Sequence, residues 1–521
     1  MSAEQPNPKT PPRDSSSTPS NGKALETFTP AEERFERWRR STGLFLGPIV
    51  FVIVWFMPMP ELSVEAHRLA AVVSLVVVWW VSEAIPIPAT ALLGAVLAVV
   101  SGIVSAREAF APFASPTIFL FIGSFMIGRA VTDHGLDRRL AFSLLSLKMV
   151  QGSLPRIAIT VAGLTMVLSA WMSNTATAAM MLPVAVGILT ATGTTRLPKG
   201  KAASTTFLLS LAYSAAMGGV MTPVGTPPNL ITLGLLDQVL GIRINFFTWM
   251  LMAAPISLTF AAVLFVITGR RLARIGVRND KAVSYLEDQQ PVGPWTAGQR
   301  NCAIAFGLAV TFWVLPGVVG LVGSTDSEFT RFLSGRLHES VVAVGAAALL
   351  FILPISWSQR RFTLEWSSAA RIDWGTILLF GGGLSLGEMM FDSGLASHVG
   401  SRLVAISGAE SLWTVTAMAI VVGVVLTEIT SNTASTNMLV PVMISICQVQ
   451  GLNPIPPALG ACFAASLAFM LPISTPPNAI IYGSGLVPIM AMVRFGAIMD
   501  VIAMVIVFVG LRILCPLLGF V

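Results

Sequence analysis

Apolar runs recur along nearly the whole chain, for example over 43–59, 67–82, 246–268 and 340–355, and they decide what the chain can fold into. Several are long enough to cross a hydrocarbon core, which takes about 20 helical residues. A spanning segment must satisfy its own backbone hydrogen bonds, so only helices and closed barrels are open to it. Period-two alternation is absent, which argues against a barrel. Charged residues make up 11% of the chain and hydrophobic ones 54%, whereas a soluble domain is about a quarter charged. The expected fold class is an all-α polytopic membrane protein.

In order, spans are expected near 43–59, 67–83, 86–104 and 116–131, with an amphipathic interfacial stretch at 134–150. The segments 152–190, 203–240 (interrupted) and 246–268 follow. The second half runs 299–320, 340–356, 372–392, 410–449, 456–485 (interrupted again) and 486–520. Four regions result. Residues 1–42 are polar, rich in Pro and Ser, and end in Arg34, Arg37, Arg39 and Arg40, which reads as a disordered cytoplasmic tail. Residues 43–270 hold the first span and a first repeat, 271–298 a basic cytoplasmic linker, and 299–521 a second repeat. No cleavable signal is expected, because no apolar region lies close to the start. The four cysteines (Cys302, Cys447, Cys462, Cys515) sit in or beside apolar runs without CxxC spacing and read as buried small hydrophobes.

Treating 152–190 and 410–449 as hairpins that enter and return on one side gives about eleven spans. The internal side then receives Arg138, Arg139, Lys148, Arg156, the 196–201 loop, Arg270 to Lys281, Arg360, Arg361 and Arg371. Arg243, Arg331 and Arg402 stay outside. This is the positive-inside pattern, with a cytoplasmic N-terminus and an external C-terminus, and it is lost if the hairpins cross.

Self-similarity carries the functional signal. Residues 168–184 read LSAWMSNTATAAMMLPV and residues 426–442 read LTEITSNTASTNMLVPV. Downstream, 222–229 read TPVGTPPN and 472–478 read PISTPPN. Two motifs in the same order in both halves make a true repeat. Ser, Asn and Thr offer oxygens and amide donors, and Asn tolerates irregular backbone. A Pro-Pro pair removes two donors and keeps the preceding residue out of the α conformation. Unwound backbone at membrane depth survives only when buried in protein or lining a watery cavity. Matching interrupted segments in two halves point to a transporter site at the midplane. Inverted halves would bring the two Ser-Asn-Thr tips together from opposite sides.

The windows 168–188, 215–232, 424–448 and 465–485 hold no Lys, Arg or His. Helix N-termini supply about half an elementary charge each. An anion bound there is therefore expected to need cations, and hydroxyls, amide oxygens and freed carbonyls are hard ligands suited to sodium. The same chemistry would also serve a neutral polar solute.

The paired Ser-Asn-Thr tips and paired Thr-Pro-Pro-Asn breaks resemble the divalent anion:sodium symporter family of dicarboxylate and citrate transporters, over roughly residues 43–521. The resemblance implies a homodimer in a bacterial-type inner membrane, with a scaffold domain and a mobile transport domain moving as an elevator. It implies import of C4-dicarboxylates (succinate, fumarate, malate) with sodium, and intact Asn-Thr in both tips suits dicarboxylate over sulfate or citrate. Ser173, Asn174 and Thr175 look like the first substrate tip, Ser431, Asn432 and Thr433 like the second, and Thr475 and Pro476 match the break beside them. For sodium, Ser169, Ser173, Asn174 and Gly225 resemble one site. Thr427, Thr430, Asn432 and Ser474 resemble another, partly through backbone carbonyls. Sodium-independent exchange occurs in some relatives and is the alternative mode, with an anion channel behind it. No organic cofactor or nucleic-acid partner is expected.

Ser-Asn-Thr in a membrane helix also serves plain helix–helix hydrogen bonding, but two copies each followed by a Pro-Pro break argue otherwise. Neither serine has His or Lys in its window to act as a base, no P-loop occurs, and no enzyme is expected. Glu428 stands three residues before the second tip, where the first half has Ala170. An intramembrane acid is by default functional; a structural hydrogen bond, cation attraction and proton coupling are the readings open to it. Glu83, Glu388 and Asp392 read as boundary or packing groups, and Trp79, Trp80 and Trp171 as interface anchors or packing.

Overall fold

Helices here begin where the sequence supplies a cap and stop where it supplies a left-handed residue. Ser63, Ser153, Asn245 and Ser411 each accept a first-turn backbone N–H, the usual remedy for orphan donors. Gly241 and Gly451 close helices in the left-handed region (φ 66° and 67°), which glycine enters without steric cost. The computed structural model describes residues 30–145, 153–194, 200–274, 293–322 and 328–521. Most of the expected tail and linker lies outside them.

The first half comprises α1 (Pro30–Phe56), α2 (Val64–Ser82), α3 (Ile87–Val100), α4 (Ala106–Phe110), α5 (Pro116–Asp133), α6 (Leu136–Leu145), α7 (Leu154–Ser169), α8 (Asn174–Ala191), α9 (Gly200–Val220), α10 (Pro227–Leu240) and α11 (Phe246–Ala273). The second comprises α12 (Ala297–Val322), α13 (Glu328–Arg336), α14 (Glu339–Ile352), α15 (Trp366–Ala369), α16 (Trp374–Asp392), α17 (Leu395–Ser407), α18 (Leu412–Ile429), α19 (Asn432–Gln450), α20 (Ile455–Ala465), α21 (Pro476–Gly483) and α22 (Ile489–Leu517). The protein is an all-α polytopic membrane protein. Eight of the described helices are long and apolar enough to cross a membrane, ten if each of two bent pairs counts as one. Helix α3, read above as a span, and α20, within the interrupted 456–485 segment, are shorter apolar helices, as is α7, the entering arm of the 152–190 hairpin.

Two details depart from the sequence reading. Helix α1 starts at Pro30, so residues 30–42, assigned above to the disordered tail, are helical. Arg39 pairs with Glu36 at 2.9 Å and Glu83 at 3.4 Å, and donates to the Val81 carbonyl at 3.0 Å. These contacts pin the polar turns of α1 to the end of α2, which composition alone could not reveal. A short antiparallel ribbon, Pro354–Ser356 with Arg361–Phe362, also interrupts the helices. Strands this short show no periodicity to read.

The packing repeats. Helix α7 lies on α9 as α18 lies on α20, α8 on α9 as α19 on α20, and α5 on α14 as α16 on α3. The halves also interlock, since α8 packs against α21 and α19 against α10. Each hairpin's return helix therefore touches the other half's Pro-Pro helix. The apolar window of α9 is wholly buried and α20 is buried throughout, so both sit in the interior and bring the breaks with them.

Candidate functional site

Each hairpin breaks for a local reason. Helix α7 ends at Ser169, and Ala170 to Ser173 carry the chain round to α8, with Ser173 at the N-cap (φ −56°, ψ 129°). Helix α18 ends at Ile429, Thr430 is extended (φ −134°, ψ 175°), and Ser431 caps α19. The Pro-Pro pairs occupy the first two positions of α10 and α21. Their missing N–H groups are orphans there in any case, so the prolines start a helix, and the unwound residues lie just before them.

Four helix N-termini consequently face one cavity of about 430 Å³, lined by Ser173 and Asn174 of α8, Ser431 and Asn432 of α19, Thr226 and Pro227 of α10, and Thr475 and Pro476 of α21. Thr175 and Thr433 line it too, so every residue expected at the substrate does. Of those expected at sodium, Ser173, Asn174, Gly225, Asn432 and Ser474 line the cavity. Ser169, Thr427 and Thr430 are buried and absent from its lining.

Behind the tips the halves match atom for atom. Ser169 Oγ lies 2.6 Å from Asn174 Oδ1 and 2.7 Å from the Ala215 carbonyl. Thr427 Oγ1 lies 2.8 Å from Asn432 Oδ1 and 2.7 Å from the Ala465 carbonyl. In each cluster three oxygens share one hydroxyl proton, so one contact lacks a hydrogen as drawn. A turned amide would relieve this; a hard cation accepted by all three oxygens would relieve it equally. The donor set thus fits sodium. The Thr430 hydroxyl donates to the Trp80 carbonyl at 3.1 Å, which ties the extended turn to α2.

The unwound segments are tied down by the motif asparagines. Asn229 donates to the carbonyls of Gly219 at 2.9 Å and Thr222 at 2.7 Å; Asn478 donates to those of Ala468 at 2.8 Å and Leu471 at 3.1 Å. Both reach ten and seven residues back, so one device holds both breaks. A Cβ on Gly225 would overlap the carbonyls of Gly219 and Ala170, and one on Gly219 would overlap the Asn174 amide. Thr222 donates to that same Ala170 carbonyl.

Glu428 acts within the second break. It accepts from Met470 N at 2.9 Å, Leu471 N at 3.2 Å and Ser474 Oγ at 2.7 Å, as the structural-bond reading requires. Trp171 lines the cavity and stacks on Phe246, while Trp79 and Trp80 donate to the carbonyls of Gly43 and Ile87. Glu83 is a boundary group, paired with Arg39 and Arg40. All four cysteines are free and buried.

Inspection of the motif windows missed Arg129, at the end of α5, which also lines the cavity. It pairs with Asp133 at 3.0 Å and donates to Ser368 at 3.2 Å. The cavity therefore does contain a basic side chain, contrary to the expectation drawn from the windows, although a carboxylate holds it. No local signal marks it, because α5 carries neither motif.

A family model, the sodium:sulfate symporter transmembrane region, matches residues 39–520. The chain belongs to this family, that of the divalent anion:sodium symporters. It is 34% identical over 476 residues to an uncharacterized transporter of Haemophilus influenzae, covering 88% of this chain and 94% of that one. It is 30% identical over 487 residues to the sodium-dependent dicarboxylate transporter SdcS of Staphylococcus saprophyticus, covering 91% of each. Among solved structures it resembles the YdaH transporter of Alcanivorax borkumensis (TM-score 0.53, 14% identity, 94% of this chain and 98% of that one). It also resembles MtrF of Neisseria gonorrhoeae (TM-score 0.52, 12% identity, 80% and 84%). At such identities these two bear on the fold alone. The chain is a membrane transporter and not an enzyme.

Proposed function

We propose that the protein imports C4-dicarboxylates such as succinate, fumarate and malate together with sodium. The convergence of two Ser-Asn-Thr tips and four helix N-termini on one cavity carries this reading. Four termini at about half a charge each offer roughly two positive charges, a match in scale for a dianion. The charge deficit inferred from sequence is thereby smaller, and the case for sodium rests on the two three-oxygen clusters and on relatives named as sodium-dependent dicarboxylate transporters.

In this scheme Ser173, Asn174 and Thr175 hold one carboxylate and Ser431, Asn432 and Thr433 the other, with Thr475 and Pro476 alongside. Ser169, Ser173, Asn174 and Gly225 receive one sodium; Thr427, Thr430, Asn432 and Ser474 receive a second. Each asparagine turns its amide oxygen toward a cation and its N–H groups toward the anion. Sodium binding therefore fixes the tips first and completes the anion site. The cavity residues Arg129 and Asp373 flank the approach, on the side given by charge placement as cytoplasmic. Alternating access by an elevator movement, a homodimer and an inner-membrane location with the N-terminus inside complete the proposal, following the family resemblance.

The test is uptake of labelled succinate into proteoliposomes, with and without an inward sodium gradient, into empty or succinate-loaded vesicles. Sodium-dependent uptake into empty vesicles is expected. Uptake confined to loaded vesicles and indifferent to sodium would replace this reading with an exchanger, and unsaturable flux would replace it with a channel.

A further inference from the structure

The repeat is symmetric in its caps, breaks and oxygen clusters, yet at two matching positions the second half carries a buried acid where the first half has none. Glu428 stands where the first half has Ala170. Asp500 is the twelfth residue of α22, where the twelfth of α11 is Ser257. Both acids are 3% exposed. The first half builds its break without either, so the fold does not demand them.

Their surroundings differ. The oxygens of Glu428 take two backbone N–H groups and the Ser474 hydroxyl, so its hydrogen-bonding capacity is met. Neither oxygen of Asp500 has a hydrogen bond of good geometry among the described residues, and Asp500 lies close enough to Glu428 and to the Phe469 backbone to interact with both. Helix α22 comes close enough that a Cβ on Gly496, one turn before Asp500, would overlap the Phe469 carbonyl. That carbonyl already accepts from the buried Tyr213 hydroxyl at 2.9 Å. None of the ion pairs among the described residues involves Glu428 or Asp500. Two neighbouring carboxyl groups buried inside a membrane protein, with no basic side chain paired to either, call for a positive partner.

We propose that Asp500 and Glu428, with the Phe469 carbonyl and the Tyr213 hydroxyl oxygen, form a further site for a monovalent cation of sodium's class. All four ligands are hard oxygens. The site lies behind the 466–475 break and beside the second tip, to which Ser474 links it. A cation there offsets the repulsion between the acids and holds the break in the shape that presents Ser474 and Thr475 to the cavity. The inference rests on the sodium coupling proposed above and adds one ion to it.

The experiment is equilibrium binding of radioactive sodium to the purified full-length protein in detergent, without dicarboxylate. Wild type is compared with Asp500→Asn and with Asp500→Ser, which copies the first-half residue. Each variant is expected to bind one ion fewer per chain at saturation, whereas Ser169→Ala loses a tip site and keeps this one. An unchanged ion count in the Asp500 variants overturns the proposal while leaving sodium coupling intact. An unchanged count combined with lost pH dependence of succinate binding would assign the acids to a proton, and overturns it too. A wild type that binds no sodium sinks the coupling itself. If neither Asp500 variant folds, Tyr213→Phe removes a single ligand oxygen, and a several-fold rise in the sodium half-saturation of one site class is the expected result. No rise there refutes the assignment.

Discussion

At the scale of single residues, the asparagines of the two tips carry the most weight. Asn174 Oδ1 lies in one oxygen cluster and Asn432 Oδ1 in the other, while both residues line the cavity. Losing a hydrogen bond to a charged group costs about 1.5–3 kcal/mol, or roughly 10- to 150-fold in affinity. Asn174→Ala and Asn432→Ala are therefore expected to weaken both sodium and succinate half-saturation by that order in proteoliposome uptake. A variant that loses succinate affinity alone would remove the dual role. Gly219→Ala probes the same point from behind, because the added methyl overlaps the Asn174 amide. Overpacking of this kind costs about 1–3 kcal/mol. The sodium half-saturation should rise roughly 5- to 150-fold, and an unaltered sodium titration would show that the Asn174 side chain is free to move.

At the scale of elements, the breaks are stable because their carbonyls are satisfied from within. Asn229 and Asn478 each donate to carbonyls ten and seven residues earlier. Removing either leaves buried carbonyls without donors, at about 1–3 kcal/mol each. Asn229→Ala and Asn478→Ala should both lower the melting temperature of the detergent-solubilised protein by several degrees. The symmetric device predicts similar losses in the two halves. A large loss from one and none from the other would mean that the halves are held differently. From sequence the prolines read as agents of unwinding; in the fold they begin α10 and α21. The run of residues allows both readings, since the same pair that cannot continue a helix is well suited to start one.

At the scale of the whole molecule, the proposed orientation rests on where the positive loops fall. The native cysteines are buried, so an introduced surface cysteine can be followed by itself. Ser358 and Glu410 are both exposed and are placed on opposite sides by the charge pattern. A membrane-impermeant thiol reagent added to intact cells should label Glu410→Cys and leave Ser358→Cys unlabelled until the membrane is opened. The reverse pattern would invert the topology and move the approach past Arg129 to the external side.

The sequence by itself determined the membrane class, through runs too apolar for water, and the repeat, through motifs that recur in order. It also picked out the residues that the fold gathers into one cavity, because a tip or a break is a local matter: a few consecutive polar or proline residues set whether a helix can continue. What it could not contain was anything made by approach across the chain. Arg129 reaches the cavity through the packing of α5, residues 30–42 become helical through contacts with the end of α2, and Asp500 meets Glu428 because Gly496 lets α22 close on the break. Each of these joins side chains far apart in sequence, and only tertiary packing sets distances between them.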